Sequence, residues 1–327
     1  MMSTYEKPHL TYAEQVDRLS QRGLEVREHG DAERVLASVG YYHLSAFMYP
    51  YRQLLPEAEQ RRQSPVHYRG DRFQTAATFD QVTALYEVDR RLRLLCLDAL
   101  GQVEIGLRTR ATYVLGDRNA FGHIDRSALD PSACDRPGPH GRTAFELWTD
   151  RCTRLQHDAR NEDFIRHVLS KYGEPLPVWV AVETFDFGAL VRLLGLMRGQ
   201  DLNHIAGDLG IKHARVLVDV TRALNLIRNI CAHHGRLWNR QLVYGLRNYQ
   251  PAGVSEPLRH VARGGERNKV YPFLVWLVYL TRQFSPGTTV GHALVQLMED
   301  LRETTGRTPE HDMGFPVDWR RQQVWRD

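Results

Sequence analysis

No apolar run in this chain of 327 residues is long enough to cross a bilayer. The longest candidate, Phe273-Leu274-Val275-Trp276-Leu277-Val278-Tyr279-Leu280, falls well short of the ~18–20 residues that a membrane helix needs and suits a buried helix instead. The start, Met1 to Pro8, lacks the apolar stretch of a signal peptide, so a cytoplasmic protein with no membrane partner is expected. Cysteine is scarce. The four present (Cys96, Cys134, Cys152 and Cys231) are scattered without CxxC spacing, which argues against a disulfide framework and a structural zinc site. Cys96 and Cys231 sit among apolar helical residues and read as reduced core thiols. There is also no Gly-rich phosphate loop and no carboxylate cluster for a metal, which counts against a nucleotide-handling enzyme. No cofactor is expected.

What is present is ordinary globular composition, 42% hydrophobic and 25% charged. The net charge of +4 is mildly basic, compatible with a polyanionic partner without requiring one. Arginine greatly outnumbers lysine, which favours bidentate phosphate contacts but also follows from a GC-rich genome.

Helical periodicity dominates. Thr11 with Glu14 forms a capping box that starts a helix ending at Gly23. A short helix follows from about Asp31 to Ser38, stopped at Gly40, and the Pro- and Arg-rich stretch 50–72 reads as a long loop. Leu85, Val88, Leu92, Leu95, Ala99, Val103 and Leu107 mark a long helix from Phe79 to Leu115, with a kink expected near Gly101 or Gly106. After a loop over 116–142, helices are expected at 144–157, 162–172, 178–198, 201–209 and 213–238. Two more are expected at 270–284 and 289–304, followed by an extended tail, Met313 to Trp319, anchored by its aromatics. No run alternates as a strand, so the fold class is all-α. Three regions are expected: an N-terminal helical region 1–75, a helical core 76–248, and C-terminal helices with the aromatic tail, 249–327, packing on that core.

The chemistry concentrates on the helix from His213 to Trp238. Leu217, Val220, Leu224, Ile227 and Cys231 form an apolar stripe, whereas Arg222, Asn225, Asn229, His233 and Arg236 share another face. Guanidinium, amide and imidazole groups together suit RNA cleavage without a metal. A histidine can move the protons of the ribose 2′-hydroxyl and the departing 5′-oxygen, an arginine can stabilise the phosphate in its transition state, and Asn229 can orient either. The nucleophile is then the substrate's own 2′-hydroxyl, which restricts the reaction to RNA. Arg228 and His233 lie five apart, roughly 140° around an ideal helix. They converge only through arginine's length or across two facing copies in a homodimer. Glu104 and Arg108 are spaced as an ordinary i, i+4 ion pair, or they line the same cleft. His234 is read as structural or as an RNA contact, and Arg236 and Arg240 extend the basic patch. Asn239 and Trp238 accompany them, Trp238 as a packing anchor.

The segment Arg228-Asn229-Ile230-Cys231-Ala232-His233 resembles the R-x(4–6)-H motif of HEPN-domain ribonucleases. The longer string through Arg240 is similar to abortive infection (Abi) proteins of the AbiD/AbiF type. Further blocks share the likeness: Lys7 to Tyr12, Gly40 to Ser45, Asp89 to Arg93, Glu104 to Arg108, Pro177 to Val180 with Glu183, and Met313 to Phe315 with Pro316 and Trp319. The resemblance implies a HEPN-like helical bundle, a dimeric endoribonuclease toxin of anti-phage defence with Arg228 and His233 as the catalytic pair, and a 2′,3′-cyclic phosphate product. It also implies a small non-coding RNA or antitoxin as partner. The other reading is a catalytically inactive RNA-binding or sensor protein of the same fold.

Overall fold

The computed structural model describes residues 8–60, 68–247, 249–262 and 266–326. Lys7 of the N-terminal block and residues 61–67 of the Pro- and Arg-rich stretch lie outside these. Helices dominate, in keeping with an all-α class. They are α1 (Tyr12–Gln21), α2 (His29–Val39), α3 (Tyr41–Met48), α4 (Phe79–Arg118), α5 (Pro131–Cys134), α6 (Ala144–Asp158) and α7 (Asp163–Tyr172). Then follow α8 (Val178–Ala181), α9 (Phe187–Leu194), α10 (Gly199–Asp208), α11 (Ala214–Ala232), α12 (Tyr271–Phe284), α13 (Val290–Thr305) and α14 (Pro309–Met313).

The expectation of no strand fails in one place. β1 (Arg52–Leu54) and β2 (Arg69–Phe73) pair antiparallel, with Arg52 opposite Phe73 and Leu54 opposite Arg69 across an irregular register. β1 is short and mostly exposed, so it carries no alternation to read. α3, absent from the sequence reading, begins directly behind Gly40, whose φ of 86° separates it from α2.

The chain divides into two compact units: the described residues up to Arg91 with Gln296–Pro309, and Leu92–Val295 with Glu310 onward. In the first, the Thr11–Glu14 capping box starts α1 as expected. Leu19, Leu36, Leu44 and Phe47 form the core. The Tyr51 hydroxyl donates to the Thr305 carbonyl at 3.0 Å, and Arg91 pairs with Asp300 at 2.7 Å.

α4 starts on a second capping box. The Gln81 N–H donates to the Thr78 hydroxyl, and the Thr78 N–H donates to the Gln81 side chain, each at 3.1 Å. The helix then runs unbroken through Gly101 and Gly106. Gly106 serves close packing: a Cβ there would lie 2.1 Å from the Phe284 ring of α12.

In the second unit α12 is the centre of the core, buried at every residue from Tyr271 to Thr281. The tail is anchored by its aromatics, with Trp319 fully buried and Phe315 set edge-on to it at 5.1 Å. Its residues 314–318 belong to no helix or strand and lie between α14 and the 3-10 turn Trp319–Arg321, with a second 3-10 turn, Gln323–Trp325, beyond. All four cysteines are free and buried. Among the described residues, no helix is long and apolar enough to cross a membrane.

Candidate functional site

The apolar stripe of α11 is buried as its periodicity requires, with Leu217, Val220, Leu224, Ile227 and Cys231 all inside. The helix ends at Ala232, however, and not at Trp238. Three backbone bonds close it: His233 N–H to the Asn229 carbonyl at 3.0 Å, His234 N–H to Cys231 at 3.1 Å, and Gly235 N–H to Ile230 at 2.9 Å. This is the Schellman pattern, and its left-handed position is taken by His234 at φ 56° in place of the usual glycine. The sequence signal was Gly235, one residue beyond that position. Arg236 therefore does not continue the helical stripe. It lies on the following turn, where the Arg240 guanidinium donates to its carbonyl at 3.1 Å and Asn239 has a φ of 49°. Trp238 is fully buried.

His233 occupies the helix C-cap and is exposed, as are His234 and Arg222. Among the described residues the His233 ring makes no hydrogen bond. Asn225, Arg228 and Asn229 are half-buried on the flank of α11, and Arg228 donates to the Asn229 side-chain oxygen at 3.4 Å.

A neighbouring helix supplies the counter-charge. Glu104 and Arg108 on α4 form an ion pair with side chains only 15% and 17% exposed. Arg108 also donates to the Phe185 carbonyl, which ties α4 to the turn before α9. Burial pushes the Glu104 carboxyl above its ordinary range, against the opposing pull of Arg108 and Arg228, and the Asp186 charge raises it further. Glu104 thus faces two arginines from two helices. The ordinary ion pair and the proximity to Arg228 are both present.

Two residues of this cluster went unnoticed in the sequence. Asp186 caps α9, accepting from Ala189 N–H at 2.7 Å, and pairs with Arg151 of α6. Its cap splits the expected helix 178–198 into α8, a short turn and α9. An aspartate directly before the apolar run Phe187–Leu194 was the available signal. α9 packs on α11 here: a Cβ at Gly188 would rest in ordinary contact, 3.9 Å, with the Asn225 amide nitrogen. Arg222 stands apart from the cluster. It pairs with Asp219 at 3.6 Å, and Asp219 also takes Arg247 at 3.4 Å.

The second unit therefore brings Glu104, Arg108, Asn225, Arg228 and Asn229 together with Asp186 and Arg151, and leads along α11 to an unencumbered imidazole. Half-buried guanidinium and amide groups of this kind bind an oxyanion such as a phosphate through paired N–H···O bonds, and an exposed imidazole beside them can exchange protons. Among the described residues no group of three or more His, Cys, Asp or Glu side chains is arranged to hold a metal ion. No curated protein and no solved structure matches the chain. The model of the family described as Abi-like protein does match, over residues 34–239. That span takes in α4, α9 and the whole of α11 with its cap, and it covers more than half of the chain, which belongs to the Abi-like protein family.

Proposed function

We propose that this Abi-like chain is a metal-independent endoribonuclease that acts as a toxin in abortive infection, an anti-phage response. His233 is the general acid/base, Arg228 binds the scissile phosphate, and Asn229 orients them. The observation that carries this reading is the half-buried Arg228, held beside Asn229 and facing Glu104, on the helix whose cap presents an exposed His233.

In the reaction the ribose 2′-oxygen attacks the adjacent phosphorus and its proton passes to a base. The new O2′–P bond forms as the P–O5′ bond breaks, and the 5′-oxygen leaves with a proton from an acid. The products are a 2′,3′-cyclic phosphate and a 5′-hydroxyl. Arg228 offsets the charge that builds on the phosphate oxygens. His233 is the exposed C-cap of α11, where its ring is open to a leaving 5′-oxygen. Arg228 and His233 are brought to one phosphate by two facing copies of α11 in a homodimer, and a HEPN-type bundle is the matching superfamily reading. A small non-coding RNA or a protein antitoxin restrains the toxin in the cytoplasm until infection.

The test is incubation of the purified protein with labelled RNA and DNA in EDTA, alongside His233→Ala and Arg228→Ala. Cleavage of RNA alone is expected, slowed at least ~100-fold in each variant, as for removal of one acid/base or charge-stabilising group. A His233→Ala protein that cuts as fast as its parent overturns the assignment. RNA binding with steep salt dependence and no turnover would instead identify a non-catalytic RNA-binding protein or sensor.

A further inference from the structure

Six tryptophans are present, and five of them (Trp148, Trp238, Trp276, Trp319 and Trp325) are at most 8% exposed. Trp179 on α8 is 52% exposed. Its indole packs on α4 at Gly116, with ring carbons 3.4 and 3.5 Å from the position a Cβ would take. Tyr113, 75% exposed, stands beside it on α4. Together with Thr112, Asp117, Val182 and Glu183 the two rings line a groove of about 490 Å³. On the α4 side the Thr112 hydroxyl is shut off from solvent and makes no hydrogen bond among the described residues.

The two sides of this groove belong to the same two stretches of chain that Arg108 ties together. Thr112 is one turn beyond Arg108 on α4. Val182 and Glu183 belong to the turn that ends just before Phe185, whose carbonyl holds Arg108. Tyr113 is five residues past Arg108, roughly 140° around the helix and about 7.5 Å along its axis, an axial rise on the order of two stacked nucleotides at about 3.4 Å each.

We propose that this groove is the base-stacking subsite of a single-stranded RNA whose phosphate is held at Arg228, a reading that rests on the proposed RNA substrate. Exposed aromatic faces stack on any base without regard to sequence. The charge of the rim decides which part of the strand enters. Asp117 and Glu183 repel phosphates and accept hydrogen bonds from exocyclic amino groups, so unpaired bases point in and the backbone stays on the arginine side. A duplex keeps its bases stacked inside and cannot present them here.

The test uses a labelled 2′-O-methyl octacytidylate, whose bases carry the exocyclic amino group and which lacks the free 2′-hydroxyl and so resists the proposed cleavage. Anisotropy of the label gives Kd, and protein emission reports Trp179 against five buried indoles. Saturable quenching of emission is expected, present in the parent and absent in Trp179→Phe when the bound fractions are matched. Tyr113→Ala and Trp179→Ala, each with unchanged thermal melting, should raise Kd by roughly 5- to 150-fold, the equivalent of one lost base–aromatic stack. Probe binding with unaltered emission, and Kd values equal to the parent's in both alanine variants, overturns the proposal. So does protection of Trp179 from acrylamide that grows with protein concentration in the absence of RNA, because a second copy then fills the groove. Quenching by the probe in a protein that cuts no RNA supports the stacking subsite and rejects the nuclease reading. Cleavage of unmodified RNA with no response at Trp179 does the reverse.

Discussion

α11 and α12 pack against one another in the same unit, yet they use burial differently. From Tyr271 to Thr281 α12 buries every side chain, and its few polar groups are satisfied locally. The Thr281 hydroxyl donates to Leu277 at 2.7 Å, the Trp276 indole N–H to the Tyr249 hydroxyl at 2.9 Å, and the Tyr279 hydroxyl to the Leu209 carbonyl at 2.9 Å. α11 buries one stripe and keeps a flank of guanidinium and amide groups half-covered. A helix buried on all sides has no surface left for chemistry, so its residues are chosen for volume. A half-covered flank is costly to keep unless its charges are offset, and the Glu104 carboxylate, paired with Arg108, also acts electrostatically on Arg228 there.

The strongest way to break this contrast is Trp276→Ala. It removes the largest side chain of α12 and strands the Tyr249 hydroxyl, and the loss should be ~3–5 kcal/mol in urea denaturation. His233→Ala on the exposed cap should stay within about 0.5 kcal/mol of the parent. Equal losses would show that the cap is as structural as the core.

The next effect concerns buried polarity that has no partner. His123 is fully buried, both ring nitrogens lack hydrogen bonds, and burial alone pushes its pKa from 6.5 to about 4. The unfolded chain therefore binds a proton that the folded one refuses. The stability this group allows is complete above pH 6.5 and is lost as the pH falls toward 4. His123→Phe should flatten that part of the pH–stability curve, and its advantage over the parent should approach about 3 kcal/mol at the acid end. Parallel curves would mean that the ring finds a proton acceptor in solution. Glu104 acts with the opposite sign. Its raised carboxyl favours the fold at low pH and that contribution fades as the pH climbs through its folded value.

A smaller loss than that of Trp276→Ala comes from Asp186→Ala, which removes the α9 cap and leaves Arg151 without its carboxylate. A loss of ~0.5–2 kcal/mol in thermal melting is expected. A larger drop, with Arg228-dependent RNA cleavage lost as well, would sharpen the comparison by showing that the flank of α11 depends on α9 for its shape.

Much of this was legible beforehand because it rested on period and caps. The α11 stripe from Leu217 to Cys231, the Thr11 capping box and the unbroken burial of α12 are all one-dimensional signals that tertiary contacts did not override. The misreadings came from short elements and from closures that depend on three-dimensional bonds. β1 has too few residues to alternate, and Asp186 split the expected helix 178–198 by capping α9 near its middle. α11 stopped early because a histidine took the left-handed position at 234. Of the site, Arg228, Asn229 and His233 could be named from one segment. Their neighbours Arg151 and Asp186 could not, because nothing along the chain states that α6 and α9 meet α4 and α11.

Gly106 is easily passed over, a gap on α4 filled by the Phe284 ring. In mechanical terms it is a keyway. A ring seated in a slot one residue wide stops α4 from sliding along or rolling against α12. Glu104 and Arg108, two residues to either side, are thereby delivered at a fixed height and azimuth. The alignment of the charged cluster is thus set by a missing methyl group on its own helix, before any charge has met its partner.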